Sequence, residues 1–92
     1  MTMERTSEVV AANGRIIILE SSREHLLVRW VDSGRCHYSE QRWRRGVARG
    51  NGSCALSGIL IRRGEAVYRP NGRPAPVNHG AMIALRAVFA SY

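Results

Sequence analysis

Closely spaced turn signals constrain the fold of this 92-residue chain more than any other feature of its sequence. Asn13-Gly14 and the polar segments 21–24 and 32–35 separate two runs of residues that favour strands. Residues 15–20 are rich in isoleucine, and residues 25–32 (HLLVRWVD) are apolar at alternate positions. Because turns recur so often, the first half of the chain has no room for a long helix. The spacing predicts short strands joined by tight turns.

A second group of strand signals follows. Residues 36–44 (CHYSEQRWR) alternate less cleanly, and Gly46 interrupts their pattern. The segment 54–70 (CALSGILIRRGEAVYRP) carries the best hairpin signal of the chain. We expect residues 59–61 and 66–68 to pair across an Arg-Arg-Gly-Glu turn and to form the closing hairpin of a small barrel.

The C-terminal part of the sequence changes character. Residues 69–76 contain three prolines and a glycine, which predicts an extended linker. Beyond it, Asn78 is a suitable N-cap, and apolar residues from Met82 to Phe89 recur at helical spacing. These signals predict a terminal helix at about residues 79–90.

The expected fold is mainly β. It is a small SH3-like or Tudor-like barrel, or a strongly bent antiparallel meander, with one C-terminal helix. A chain of this length buries only one core, so we predict a single β-rich domain at residues 11–92. We predict that residues 1–10 form a mobile N-terminus.

The charge distribution gives the main functional signal. All 14 basic residues are arginines, and the formal net charge is +7. Residues 35–73 hold nine of these arginines and only two glutamates, whereas residues 1–34 are nearly neutral. Such a basic block attracts nucleic acid or an acidic protein. No charged segment followed by an apolar one opens the chain, and its longest apolar run is far too short to cross a membrane, which predicts a cytoplasmic protein that does not bind membranes.

Arginines interleaved with aromatic residues are typical of nucleic-acid binding, because guanidinium groups bind phosphates and aromatic rings stack on bases. We therefore expect a non-catalytic accessory or regulatory protein that binds an anionic partner such as nucleic acid. Alternatively, Trp30, Trp43 and Tyr68 pack in the core. A separate functional alternative is a protein-interaction module or a homodimeric adaptor, because small barrels present aromatic grooves to peptides and the terminal apolar stripe of Met82, Leu85, Val88 and Phe89 is suited to a dimer face. The candidate binding residues are Arg42, Trp43, Arg44, Arg45, Arg49, Arg62, Arg63, Tyr68 and Arg69.

Metal binding and catalysis have weaker signals. Cys54-Ala-Leu-Ser57-Gly58 resembles half of a zinc knuckle in which serine replaces the second cysteine. Cys36, His37, Cys54 and His79 are the alternative ligands of a small zinc-stabilised domain. Their spacing matches no established zinc motif, and the chain lacks a P-loop, a dinucleotide fingerprint and a nucleophile elbow. We therefore expect no cofactor, no metal and no enzymatic activity.

Two motifs carry a resemblance to a known family. His37, Tyr38, Gln41 and Trp43 form HY-x-x-Q-x-W, and CALSG-x-x-IRRG-x-x-VYRP follows it. Together they resemble a family of short bacterial proteins described as a domain of unknown function, over roughly residues 26–86. The resemblance implies a small bacterial protein and carries no activity with it.

Overall fold

The computed structural model describes residues 7–11, 14–32 and 36–89. Most of these residues lie in β-strands, and one short helix follows the last strand. The elements are β1 (Ser7–Ala11), β2 (Gly14–Ser21), β3 (His25–Asp32), β4 (Cys36–Val47), β5 (Gly52–Ser53), β6 (Leu60–Ile61), β7 (Ala66–Pro70), β8 (Ile83–Ala84) and α1 (Leu85–Phe89).

The main sheet has the strand order β1-β2-β3-β4-β7-β8, and every neighbouring pair is antiparallel. β5 and β6 form a separate two-stranded sheet between β4 and β7 in the chain. The main sheet curls into a half-barrel, so the predicted mainly-β architecture with one C-terminal helix is confirmed. The turn between β2 and β3 is closed by Ser22, whose hydroxyl accepts a hydrogen bond from the His25 backbone at 3.1 Å.

The core lies on the inner face of this curled sheet. Alternation places Leu26 and Val28 of β3 inward, and Trp43 of β4 packs beside them without exposed surface. The Trp43 ring lies 5.8 Å from the ring of Trp30, centroid to centroid. The buried apolar residues are Ile16, Ile18, Leu26, Val28, Trp43, Ala48, Cys54, Ile61, Val67, Tyr68, Ile83 and Ala84.

The predicted closing hairpin is wrong in its pairing. β6 pairs with β5, and β7 pairs with β4 over five residues. The turn between them does form, because the Glu65 backbone donates to the Arg62 carbonyl at 3.0 Å. β4 runs through Gly46 to Val47, further than the sequence predicted, and this added length gives β7 a longer partner than two-residue β6 could provide.

The terminal helix is much shorter than predicted. Residues 79–82 are turns and loop, and Ile83–Ala84 form strand β8, which pairs with Val67 and Tyr68 of β7. Ile83 and Ala84 are fully buried at this edge. The sheet edge and the core therefore override the local helical propensity of the alanines. The described helix is Leu85–Phe89, and Ala90 lies outside the described residues.

Part of the segment that was predicted as a mobile N-terminus, residues 1–10, lies in a strand. Ser7–Ala11 form the edge strand β1, in which Val9 lies opposite Ile16 of β2. Residues 7–10 therefore pair with the apolar strand β2 at the edge of the sheet. Residues 1–6 lie outside the described residues. No helix in the described part of the chain is long and apolar enough to span a membrane.

Candidate functional site

Residues 41–44 of strand β4 alternate between the two faces of the sheet. Gln41 and Trp43 point inward and are buried, whereas Arg42 and Arg44 point outward and are exposed. This follows from the two-residue period of a strand, which sends adjacent side chains to opposite faces. The outer face of the central strand is therefore basic.

The register extends this basic character to a second strand. Arg44 lies directly opposite Arg69 of β7 on one side and opposite His25 of β3 on the other. Opposed side chains in an antiparallel pair have Cβ atoms only about 4.5–5.5 Å apart, and like charges at such positions are destabilising. The Arg44–Arg69 pair is thus an arrangement that folding alone does not favour.

Two open clefts flank this pair. The first, of about 200 Å³, is lined by Arg44, Arg45, Gly46, Arg49, Arg69, Pro70 and Asn71. The second, of about 270 Å³, is lined by Arg49, Gly50, Asn51, Arg69, His79, Gly80 and Met82. Because Arg49 and Arg69 line both, the clefts are adjacent parts of one surface. We define the basic face as Arg42, Arg44, Arg49 and Arg69.

The guanidinium groups of the basic face are not neutralised within the described part of the chain. None of the four makes a hydrogen bond or an ion pair there. Other arginines do have partners, since Arg45 lies 3.9 Å from Glu24 and Arg86 pairs with Glu65. The basic face therefore concentrates positive charge that is available to an external anion.

The predicted aromatic members of the site do not belong to it. Trp43 and Tyr68 have no exposed surface, so neither ring can stack on a base. The Tyr68 hydroxyl donates to the Ser22 carbonyl at 2.5 Å. Burial raises the pKa of Tyr68 to about 12, against an opposing effect of the Arg45 and Arg23 charges. Both residues are core residues, and the prediction of an aromatic-interleaved surface is wrong.

The remaining predicted arginines occupy different positions. Arg62 and Arg63 are exposed on the turn between β6 and β7 and line neither cleft. Their turn nevertheless lies beside the second cleft, because the Arg63 backbone donates to Asn51 Oδ1 at 2.9 Å. Arg45 lines the first cleft but is paired with Glu24.

The alternative zinc site is not formed. Cys36, His37, Cys54 and His79 are all within the described residues, and no group of three or more His, Cys, Asp or Glu side chains there is arranged to hold a metal ion. The Cys54 thiol is buried, and its sulfur accepts hydrogen bonds from the backbones of Ser57 at 3.4 Å and Ala84 at 3.3 Å. Cys54 therefore links its own turn to β8.

The motif HY-x-x-Q-x-W has a structural role that the sequence analysis missed. Gln41 and Asn78 exchange two amide hydrogen bonds, and Trp43 Nε1 donates to Gln41 Oε1 at 2.9 Å. Tyr38 accepts a hydrogen bond from the Val77 backbone at 3.0 Å. These contacts fasten the loop that follows β7 onto β4. They hold His79, the next residue, where it lines the second cleft.

A second set of contacts joins helix α1 to the turn between β6 and β7. Arg86 of α1 forms an ion pair with Glu65 and donates to the Leu60 carbonyl at 2.6 Å. The side-chain hydrogen bond from Arg86 lowers the pKa of Glu65, and the same bond raises the pKa of Arg86. This pair joins the helix to the turn between β6 and β7, so its shifted pKa values have a structural cause.

The fold and this surface define a small, curled antiparallel β-sheet protein with an unneutralised basic outer face. Residues 3–90 match the family DUF3331, which is described as a domain of unknown function, and the chain belongs to that family. The predicted membership of a family that is described as a domain of unknown function is thereby confirmed. Neither the curated proteins nor the solved structures include a match to the chain.

Proposed function

We propose that this protein is a non-catalytic accessory or regulatory protein of the bacterial cytoplasm, which binds nucleic acid through the phosphate groups that contact its basic face. The observation that carries the proposal is the Arg44–Arg69 pair, in which two arginines lie opposite each other in the ladder and neither has a carboxylate partner among the described residues. A bound phosphate removes the repulsion between them, and arginine is well suited to phosphate because its planar fork donates two hydrogen bonds at once.

The shape of the surface supports an extended ligand. The two clefts of about 200 and 270 Å³ are smaller than the roughly 300–1,000 Å³ that is typical of small-molecule sites. They also share two arginines and continue into one another. A polyanion that runs across the face would contact both clefts as well as the cleft of about 390 Å³ that Arg42 lines.

A non-catalytic role is supported by the origin of the shifted pKa values. The pKa values of Glu65 and Arg86 are shifted by their mutual ion pair, and that of Tyr68 by burial. Each shift thus has a cause in the packing of the fold, and none of the three residues lines the clefts of the basic face. A reducing, cytoplasmic location fits the two cysteines, which are both free thiols.

The proposal is tested by fluorescence anisotropy with labelled oligonucleotides of random sequence. If four arginines each contact one phosphate, log Kd should change with log salt with a slope of about 3 to 4, so that affinity falls about 100-fold between about 50 mM and about 200 mM salt. An absence of binding at the lower salt concentration would overturn the proposal. Salt-independent binding would exclude a phosphate interface.

A pair of charge-reversal variants locates the interface. Arg44→Glu should weaken binding at least about tenfold, because it removes one phosphate contact and places a carboxylate on the basic face. Arg23→Glu is the matched control, since Arg23 is exposed and lines a separate cleft with Glu65, Arg86 and Phe89. Equal weakening by both variants would show that net charge, and not this face, determines binding.

The same preparation tests the alternative of an interaction module. An acidic protein that co-purifies in stoichiometric amount and remains bound at moderate salt would favour that function, provided that no oligonucleotide binds. Sedimentation of the purified protein would show whether it is a homodimer. A dimer whose basic face is buried between subunits would contradict the proposed function.

A further inference from the structure

We infer that the preferred ligand of the basic face is duplex nucleic acid, held by the phosphates of both strands, and not a single strand with exposed bases. This inference rests on the proposed function and specifies its substrate class. It follows from two observations: the burial of the aromatic side chains and the two-dimensional arrangement of the arginines.

The first observation concerns stacking. In the described part of the chain, no aromatic side chain is among the exposed large apolar residues, which are Val47, Ile59, Leu60 and Val77. Trp43 and Tyr68, the aromatic residues nearest the basic face in sequence, are fully buried. Proteins that bind single strands gain much of their affinity from bases stacked on aromatic rings. Tyr38 lies in the cleft that Arg42 lines, but no Phe, Tyr or Trp side chain lines the two clefts that share Arg49 and Arg69, so unstacked bases would gain little there.

The second observation concerns geometry. Arg42 and Arg44 are two residues apart on β4, which separates them by about 6.7 Å along the strand. Arg69 lies across the ladder from Arg44, at the strand spacing of about 4.8 Å, and Arg49 lies beyond the end of β4. The positive charges therefore cover a patch and do not follow a line. A patch of arginines can contact the phosphates of two strands, whereas a single line of arginines would be enough to contact one strand.

Charge density favours the same ligand. A duplex carries one negative charge per about 1.7 Å of its axis, twice the density of one of its strands. The basic face lies on the outer side of a curled sheet, where a ligand is contacted from one side only. A rigid duplex presents its phosphates to such a surface without losing chain flexibility, whereas a flexible strand must be ordered on binding.

The experiment compares three probes of equal length at one salt concentration: a DNA duplex, its separated strand and an RNA duplex. We expect the DNA duplex to bind at least about tenfold more tightly than the single strand, because charge density rises while stacking contributes little. Replacing the duplex sequence with a scrambled one should change Kd less than about threefold, since phosphate contacts carry no sequence information.

The possible outcomes separate the inference from the proposed function. Equal or tighter binding of the single strand overturns the inference but leaves nucleic-acid binding intact. Binding of no probe overturns both. Comparable affinity for the DNA and RNA duplexes supports readout of duplex phosphates in general, whereas a strong preference for either identifies the helical form that fits the patch. Arg69→Gln should reduce duplex binding more than single-strand binding, and the reverse order would contradict contact with two backbones.

Discussion

Gln41 and Asn78, 37 positions apart, bind each other through the nitrogen and the oxygen of their side-chain amides. Gln41 Nε2 donates to Asn78 Oδ1 at 2.8 Å, and Asn78 Nδ2 donates to Gln41 Oε1 at 3.0 Å. Gln41 is buried, and its oxygen also accepts the indole hydrogen of Trp43. This network joins the central strand of the sheet to the loop that carries His79.

Asn78→Ala should destabilise the protein by about 1–3 kcal/mol, because it leaves the buried amide nitrogen of Gln41 without its acceptor. The free energy of unfolding from denaturant titration measures the loss. Asn71→Ala is the matched control, since Asn71 is exposed and its side chain makes no hydrogen bond in the described residues. A change of more than about 0.5 kcal/mol is not expected there. Equal effects of the two substitutions would contradict a structural role for the amide pair.

The Arg44–Arg69 pair predicts a substitution that stabilises the fold. Arg44→Glu replaces a repulsive cross-strand pair with an attractive one and should increase the free energy of unfolding by up to about 1 kcal/mol. The gain should shrink at high salt, because both side chains are accessible to solvent. Thermal unfolding at two salt concentrations measures both effects.

The neighbouring position provides the control. Arg45→Glu makes the same change in net charge but places a carboxylate near Glu24, so it should leave stability unchanged or lower it slightly. If Arg44→Glu also destabilised the protein, the arginine pair would contribute to the fold. A bound ligand would then not be needed to explain why the arginine pair is present. Higher stability with weaker binding in the same variant would instead indicate a surface that is maintained for function.

The ion pair of Glu65 and Arg86 predicts a dependence of stability on acidity. The pKa of Glu65 is below its ordinary value of 4.5 in the folded protein, chiefly because Arg86 donates a hydrogen bond to its carboxylate. The stabilisation is therefore fully present above pH 4.5 and is lost as the pH falls through the lowered pKa. Arg86 remains charged throughout this range.

The test compares the melting temperature of the wild-type protein with that of Glu65→Gln between neutral and acidic pH. The wild-type protein should melt higher at neutral pH, and the difference should disappear once the carboxylate is protonated. Glu40→Gln, at an exposed position of β4, controls for the general effect of removing a negative charge. A difference that persists at the lowest pH would mean that the ion pair is not its cause.

Sequence patterns predicted the strands better than their partners. A half-buried strand shows a two-residue period, so His25–Asp32 has the predicted bounds and the outward positions of Arg42 and Arg44 follow from alternation. Which strands pair is decided by length and burial over the whole sheet. No local pattern showed that β7 would pair with β4, or that residues 83–84 would join the sheet instead of the helix.

The error at the candidate site could have been avoided with the same alternation. Trp43 stands between Arg42 and Arg44, so in a strand its ring must point to the face that is opposite to theirs. Tyr68 and Arg69 are related in the same way on β7. The composition of these segments favoured an aromatic surface because the aromatic residues and the arginines are neighbours in sequence. Neighbours in a strand, however, lie on opposite faces of the sheet. No local pattern showed that His25 would lie beside the basic face, because that follows only from its register with Arg44.

The hydroxyl of Tyr68 predicts a loss of stability at high pH. Burial raises the pKa of Tyr68 from 10.0 to about 12, so the folded protein binds this proton more tightly than the unfolded chain does. The associated stabilisation is fully present below pH 10 and is lost as the pH rises toward 12. In a titration of phenolate absorbance, one tyrosine should ionise late and together with unfolding. Tyr68→Phe should remove that phase, because it keeps the buried ring but has no proton to release. Persistence of the late phase in Tyr68→Phe would assign it to another tyrosine and contradict the buried hydrogen bond to Ser22.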